Sequence, residues 1–460
     1  MEISQSNIYE EILEIANSGN PPVHFRYYMD LLANGKLHRI DIVLSLERIR
    51  DYENNYCDET LIEVEIAMGT FIHEIYPYRN HLLATLYRER VGSLDRESIE
   101  GVRPDIQQFQ AVLVETDSLM LTDGSLVTSN KEQGDKAATL KRTFQLIDKS
   151  LGDLRMASVT GIYRDARVGD ILKTVMKGDV QNAASGVSTP VSSDRVNEGG
   201  FTTVIGIDMV SPNNTRQYHA IIVPPHIKLL DLPLYLQEEY GVYSSGVGYY
   251  LQRGIMYIYP LCDLLRFTST TRGLRIANLP PTRMAGADKT FKVKDKQVFV
   301  MATGEVVQGD PTDFNQLNLG NGIRYLQADK IIDRFSTTSK NRTNVYRSNN
   351  LVEYISHQRP DGRNNIVYSP RQITINHQRE SSALATRLAS TIDIVWENSD
   401  PTLIYPGMPV RFYYHRGEIL EWLEGVVIKA HHYSSASTPG LVNDKHITRS
   451  TLTLLVNRDT

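Results

Sequence analysis

Apolar and polar residues alternate at every second position through much of the first part of the chain. In HRIDIVLSLERIR (38–50), Ile40, Ile42, Leu44 and Leu46 fall on one side, and Asp41, Ser45 and Glu47 on the other. TLIEVEIAM (60–68) repeats the pattern, with Ile62, Val64, Ile66 and Met68 set against Glu63, Glu65 and Ala67. HLLATLYRERV and FQAVLVE read as further strands. Strands with one wet face, separated by polar turns, predict an antiparallel barrel or sandwich in roughly the first 120 residues. A short amphipathic helix precedes them in NIYEEILEIANSG, with Asn7 as N-cap and Glu10 completing a capping box.

The period changes near residue 160. In YRDARVGDILKTVMKGD, Val168, Ile171, Leu172, Val175 and Met176 recur at helical spacing, Asp165 is the candidate N-cap and Gly178 the stop. The stretch 178–200 has almost no bulky apolar residue and reads as a flexible loop. DLPLYLQEEYG predicts a second helix, capped by Asp231, with Pro233 in its first turn and Gly241 at its end. Short strands return in 285–310, residues 335–365 are polar, and the last hundred residues are β-rich again, in MPVRFYYH, EWLEGVVIKAHHY and STLTLLVNR. The chain is thus read as mainly β with an inserted α/β region (α+β), two similar β-domains bracketing a mixed centre.

A length of 460 residues with 41% hydrophobic and 22% charged residues is that of a folded chain with more than one domain. The net charge of −5 supplies no global field toward nucleic acid. Cys57 and Cys262 are far apart and form at most one disulfide; a reduced, cytoplasmic origin is the simpler reading. No apolar run reaches eighteen residues and the N-terminus lacks a signal-peptide pattern, so no membrane insertion is expected. The sequons at Asn213 and Asn341 then carry no weight.

Candidate chemistry is sparse. Gly241, Gly246 and Gly248 match a phosphate loop only in the Gly-x4-Gly interval; Val247 and Gly248 stand where lysine and a hydroxyl residue are needed, and a helix precedes the glycines instead of following them. His73-Glu74 lacks the second histidine of a zinc-protease helix. His431 and His432 are neighbours in a strand and point to opposite faces, leaving a cross-strand pairing with His415 or His446 as the alternative to plain surface histidines. No Gly-x-Ser-x-Gly elbow occurs, and the acidic pairs read as solvated charge. No catalytic residue, metal site or cofactor site is predicted, and the protein is not expected to be an enzyme. The acidic turn RDYENNYCDET (50–60) is either a wet hairpin loop or a surface kept negative so that a polyanion passes without sticking.

One stretch is exceptional: EEYGVYSSGVGYYLQRGIMYIYP (238–260). Tyr240, Tyr243, Tyr249, Tyr250, Tyr257 and Tyr259 lie around glycine-broken strands with Arg253 as the one basic residue, too little charge for a base-stacking groove. In GIMYIYP, Ile255, Tyr257 and Tyr259 share one face, Met256 and Ile258 the other. Bulk on both faces predicts a strand covered on two sides, in a core or a subunit contact. Together with Gly241 and Gly246, these tyrosines are the candidate assembly and packing residues.

YLQEEYGVYSSGVGYYL followed by GIMYIYPLCD resembles the central region of baseplate hub proteins of contractile phage tails. The block 40–88 resembles their opening tail-tube-like barrel, VTGIYRDARVGDILKTVM the strand and helix that follow, and FNQLNLGNGIRYLQADKI with LIYPGMPVRFYYHRGEILEWLEGVVIKAHHYS the later parts. The resemblance lies in the order of blocks and covers most of the chain. It implies an N-terminal helix (1–20), a first tube-like β-barrel (21–130), a mixed α/β centre (131–270), a β-rich region with polar loops (271–365) and a second tube-like β-barrel (366–460). It further implies a virion protein of the tail baseplate, assembled in the host cytoplasm. As a homotrimer it would join the sixfold tail tube to a threefold central spike and form part of the DNA channel, without sequence-specific DNA binding. Tape-measure and baseplate wedge proteins are further candidate partners. Related hubs form the upper part of type VI secretion spikes; this chain lacks their fused β-helical spike and the iron-binding His-x-His of some spike tips, so a separate spike protein is implied. The alternatives are a tail-associated cell-wall hydrolase and a carbohydrate-binding adhesin using Tyr249 and Tyr250.

Overall fold

The computed structural model describes residues 6–17, 24–91, 105–114, 139–176, 204, 206–243, 246–261, 263–268, 270–284, 290–294, 296–307, 323–327, 352–356, 389–416, 419–438 and 445–457. The loop 178–200, Cys262 and Asn341 lie outside them. Helix α1 (Ser6–Asn17) is followed by strands β1 (His24–Ala33), β2 (Lys36–Ile40), β3 (Val43–Asp51), β4 (Glu59–Ala67), β5 (Leu82–Val91), β6 (Asp105–Leu113) and β7 (Thr139–Asp148). The centre holds α2 (Lys149–Met156), β8 (Ser158–Arg167), α3 (Val168–Met176), β9 (Gly206–Met209), β10 (Gln217–Lys228), α4 (Leu232–Glu239), β11 (Val247–Gln252) and β12 (Ile255–Pro260). Then come β13 (Gly273–Asn278), β14 (Phe291–Lys294), β15 (Gln297–Val307), β16 (Ile323–Gln327), β17 (Val352–Ser356), β18 (Ala389–Trp396), β19 (Pro409–Arg416), β20 (Ile419–Ala436) and β21 (His446–Asn457). The protein is mainly β with a few short helices.

Two closed circuits of strands run through one large sheet. The first is β3-β4-β7-β6-β5-β1-β21-β20, returning to β3; the second is β13-β19-β20-β21-β18-β15, returning to β13. β20 and β21 therefore belong to both barrels. From Ile419 to Val426, β20 pairs with β19; from Lys429 to Ser435 it pairs with β3. A register shift against β21 falls between Val427 and Lys429, where the strand passes from one barrel to the other. A bulge bends a strand and raises its twist, which is what this crossing requires.

The strands do not follow the expected sequence boundaries. β7 lies beyond residue 130 yet closes the first barrel, facing inward with Phe144 and Leu146. β13 and β15 lie before residue 366 yet belong to the second. That barrel is also not wholly antiparallel: β13 runs parallel to both β15 and β19. A parallel neighbour needs a long crossover, and the chain from β13 to β15 supplies one through residues 279–296. β13 is covered on both faces, as parallel strands usually are.

The alternation in TLIEVEIAM is realised through Ile66, with Ile62, Val64 and Ile66 in the core of the first barrel beside Met29, Leu31 and Phe144, while Met68 lies beyond the strand, in a short helix. α3 buries Val168, Ile171, Leu172, Val175 and Met176 together, as its period predicts. Its expected cap fails: Asp165 sits within β8 at φ 48°, and β8 stays paired to β10 as far as Arg167. Asp231 holds the N-cap position of α4 without a side-chain bond, Pro233 lies in the first turn, and Gly241 at φ 76° ends the helix. α1 begins at Ser6, so Asn7 lies inside its first turn. The helix packs Ile8 and Ile15 on Phe299, Met301, Tyr413 and Leu420 of the second barrel, and buried Glu11 pairs with Lys294 at 2.6 Å.

Candidate functional site

The first barrel, the second barrel and the central region meet around the end of β3. Up to Leu46 the inward residues of β3 are apolar; then Arg48 and Arg50 turn inward, and Ile49 is exposed. Arg48 stands in a cross-strand row with His432 and Ser450 on one side and Thr60 on the other, all four buried. The interior thus changes from hydrocarbon to polar groups where the barrels join.

Arg50 is fully buried and grips three segments. Its Nε donates to Asp58 Oδ2 at 3.1 Å, with Nη2 3.0 Å from the same oxygen. Nη1 donates to the Pro401 carbonyl at 2.8 Å and lies 3.0 Å from His432 Nε2. Only a lone pair can face a guanidinium, so Nε2 accepts and Nδ1–H donates to Ser450 Oγ, 2.6 Å away. Burial, then the charges of Arg50 and Arg48, hold the His432 pKa well below the ordinary histidine range. Burial alone would lower the Arg50 pKa, but Asp58 together with Tyr52 and Tyr250 outweighs it and the net shift is upward. Ser450 and His432 are spaced like a nucleophile and its base, yet both are buried and the imidazole is committed to Arg50. The arrangement is a lock between segments, not an open reaction site.

The tyrosine-rich segment completes this lock. β11 and β12 form a hairpin whose two-residue turn is Arg253-Gly254, both at positive φ. One face, with Tyr249, Leu251, Met256 and Ile258, enters the core of the central region; the other, with Tyr250, Tyr257 and Tyr259, enters that of the second barrel. The prediction of a strand covered on both sides holds, and the cover belongs to the same chain. Tyr250 OH donates to Asp58 Oδ1 at 3.2 Å, Gln252 Nε2 to the Ile404 carbonyl at 2.9 Å, and Arg253 Nη2 to Asp105 Oδ1 at 2.5 Å. Arg88 also reaches Asp105, at 3.7 Å, and donates to Asp400 Oδ1 at 2.9 Å. Tyr259 OH donates to the Tyr52 carbonyl at 2.9 Å. Its ring lies where a Cβ at Gly248 or Gly407 would stand, so these two glycines are small because the ring passes there.

Tyr243 is buried in the central core, and its hydroxyl bonds the Val210 carbonyl. Tyr240 is half-buried; its hydroxyl accepts from the Ile222 N–H at 2.8 Å. Gly241 and Gly246 adopt positive φ around the turn that leads into β11. Tyr250 is fully buried, which removes it as a platform for a sugar ring.

The acidic turn 50–60 is neither a free wet loop nor a plain anionic surface. Asp51 accepts from the N–H groups of Glu53 and Asn54 at 3.1 Å each, and Tyr52 is buried against Tyr250, ring centroids 4.9 Å apart. Leu251 N–H donates to the Tyr56 carbonyl at 2.7 Å, so the turn extends the hairpin's hydrogen bonding. Only Glu53, Asn54 and Glu59 of the turn are exposed. Behind the turn, Tyr56, Cys57, Glu59, Gln145, Leu151 and Arg155 line a cavity of about 280 Å³. Burial, reinforced by Asp58, pushes the Cys57 thiol up to about 12, so it is protonated and a poor nucleophile at neutral pH.

His431 and His432 do point apart: His432 is buried, while exposed His431 lies 2.7 Å from Glu47. His446 Nε2 bonds the Val43 carbonyl at 3.0 Å, far from a shared chelate. Among the described residues no group of three His, Cys, Asp or Glu side chains is placed to hold a metal, and no helix is long and apolar enough to cross a membrane. Sequence reasoning missed Arg48, Arg50 and Asp58, and weighed His432 only as a chelating or surface histidine. The signal was the string LERIR, in which Ile49 falls out of phase with Leu46.

Neither a protein-family model nor a curated protein matches the sequence. Among solved structures, the chain is similar to a tail protein from Neisseria meningitidis MC58, with TM-score 0.44 and 10% identity over 94% of this chain and 96% of that one. It is similar to the 43 kDa tail protein of prophage MuSo2 from Shewanella oneidensis, with TM-score 0.45 and 11% identity over 93% and 96%. It is also similar to the Francisella PdpA–VgrG complex, with TM-score 0.41 and 10% identity over 99% of this chain and 62% of that one.

Proposed function

We propose that this protein is a structural, ring-forming subunit: the hub of a contractile tail or tail-like particle, acting as a homotrimer between a sixfold tube and a threefold spike. The observation that carries the reading is the pair of barrels welded through β20 and β21. Three chains with two barrels each present six, while the rest of each chain keeps threefold symmetry. A matched ring needs the two barrels of one chain at a fixed spacing and angle. Shared strands and the buried Arg50 lock supply that rigidity, where a flexible linker would not. The tyrosine-rich hairpin serves assembly indirectly, by holding the central region against the barrel pair.

A lumen through the ring would pass DNA without sequence reading, in keeping with the net charge of −5. Tube and spike proteins are the partners this reading requires, with tape-measure and wedge proteins as further ones. Multi-angle light scattering on the purified chain, alone and with its spike protein, tests the reading. A particle of three chain masses is expected. A chain that stays monomeric with tube and spike proteins present would sink it.

A further inference from the structure

The interior of the first barrel holds a cation whose charge the described residues do not balance. Arg48 is 95% buried, with relative exposure of 5%, and no carboxylate pairs with it among the described residues. Its one hydrogen bond crosses the barrel, from Nη2 to Gln107 Oε1 on β6 at 3.1 Å. Its Nε–H has no acceptor. The carboxylates nearby are committed elsewhere: Asp58 to Arg50, Asp105 to Arg88 and Arg253, Asp400 to Arg88. Four guanidinium groups (Arg48, Arg50, Arg88, Arg253) thus share three carboxylates, and one positive charge is left over.

Two more polar groups beside Arg48 are buried without a partner. Thr60 Oγ1 projects from the residue directly opposite on β4, on the same face. Gln107 Nε2 remains free because Oε1 takes the Arg48 bond. The three orphaned atoms are all able to donate. A buried ion left uncompensated costs several kcal/mol, and buried donors are nearly always satisfied by protein, water or an ion. Burial works most strongly against the Arg48 charge, and Arg50 and Arg88 add to it, while Tyr27 and Asp58 offset it only in part, so the net shift is downward. A negatively charged acceptor beside Arg48 supplies both what these donors lack and the missing charge; water relieves the donors but not the charge.

We infer that Arg48, Thr60 and Gln107 bind one small monovalent anion of the halide class inside the first barrel. One charge matches the local excess, and a spherical ion suits three donors from different strands. A divalent oxyanion would over-compensate the charge and bring more acceptors than there are donors.

Two measurements test this on the whole protein. In crystals grown in sodium bromide, an anomalous peak is expected within hydrogen-bonding reach of Arg48 Nε and absent in R48M. In thermal melts, wild-type protein should unfold several degrees higher in saturating sodium chloride than in sodium gluconate of equal ionic strength. R48M should lose that difference while folding normally, since it removes the unbalanced charge together with its ligand. T60V should shift the chloride midpoint to several-fold higher concentration. A melting temperature equal in both salts, with water rather than bromide between the three side chains, overturns the inference.

Discussion

β3 and β4 lie side by side in one sheet and have nearly the same length, yet they handle polarity differently. From Ile62 to Ile66 β4 keeps one rule, Ile62, Val64 and Ile66 inward and Glu63 and Glu65 toward the other face; only Thr60, opposite Arg48, puts a polar group inside. β3 obeys that rule as far as Leu46 and then reverses it, burying Arg48 and Arg50 and exposing Ile49. The difference lies in what each strand meets. β4 is flanked by β3 and β7 and sees only the first barrel; the far half of β3 pairs with β20 where that strand passes between barrels. An apolar core stabilises without direction. A charged group with fixed donors and one set of acceptors specifies a single arrangement, which is what a junction requires.

The contrast can be broken most sharply at Arg50. Arg50→Met leaves Asp58, half-buried beside Tyr250, without its cation and the Pro401 carbonyl and His432 without their donor, and a loss of about 3 kcal/mol is expected by urea denaturation. Asp58→Asn should cost a similar amount, and the double substitution less than the sum of the two. Next in size is a pH effect confined to the β3 side. His432 is held neutral in the folded chain, with its pKa below the ordinary 6.5, so the unfolded chain binds the extra proton. Stability should therefore be full above pH 6.5 and fall as pH drops below it, by at most about 1.4 kcal/mol per pH unit. In His432→Asn that slope should flatten. On β4, Ile62→Val should cost about 1 kcal/mol through a small cavity, with no new pH dependence. Smallest of all, Glu63→Gln should change stability by no more than about 0.5 kcal/mol, since its contact is a long, half-buried 3.4 Å bond from Ser45 that the amide can still accept. A β4 residue with an effect as large as that of Arg50 would dissolve the contrast.

Elements whose own period decides their structure were legible in the sequence. The helix at 168–176, the alternating β4 and the two-faced hairpin at 255–260 all follow from residues within each element. What was not legible depends on partners far along the chain. EWLEGVVIKAHHY reads as one strand and is one, but nothing inside it announces that its halves serve different barrels. β7 was passed over because Phe144 and Leu146 stand among polar residues, and their burial comes from β4 and β6. The Arg50 lock joins residues 50, 58, 401 and 432, a separation that spacing rules do not reach. Of the tyrosines singled out for assembly or packing, Tyr243 is buried in the central core, and Tyr250 and Tyr259 are buried by this chain's own turn 50–60 and second barrel.

The central claim is that two rigidly joined barrels per chain make a six-barrel ring from three chains. End-on electron micrographs of the assembled particle, averaged without imposed symmetry, test it most directly. The account predicts six barrel densities, in three pairs, around an open centre. A particle with any other number of barrels, or with the two barrels of each chain at variable spacing, would contradict it.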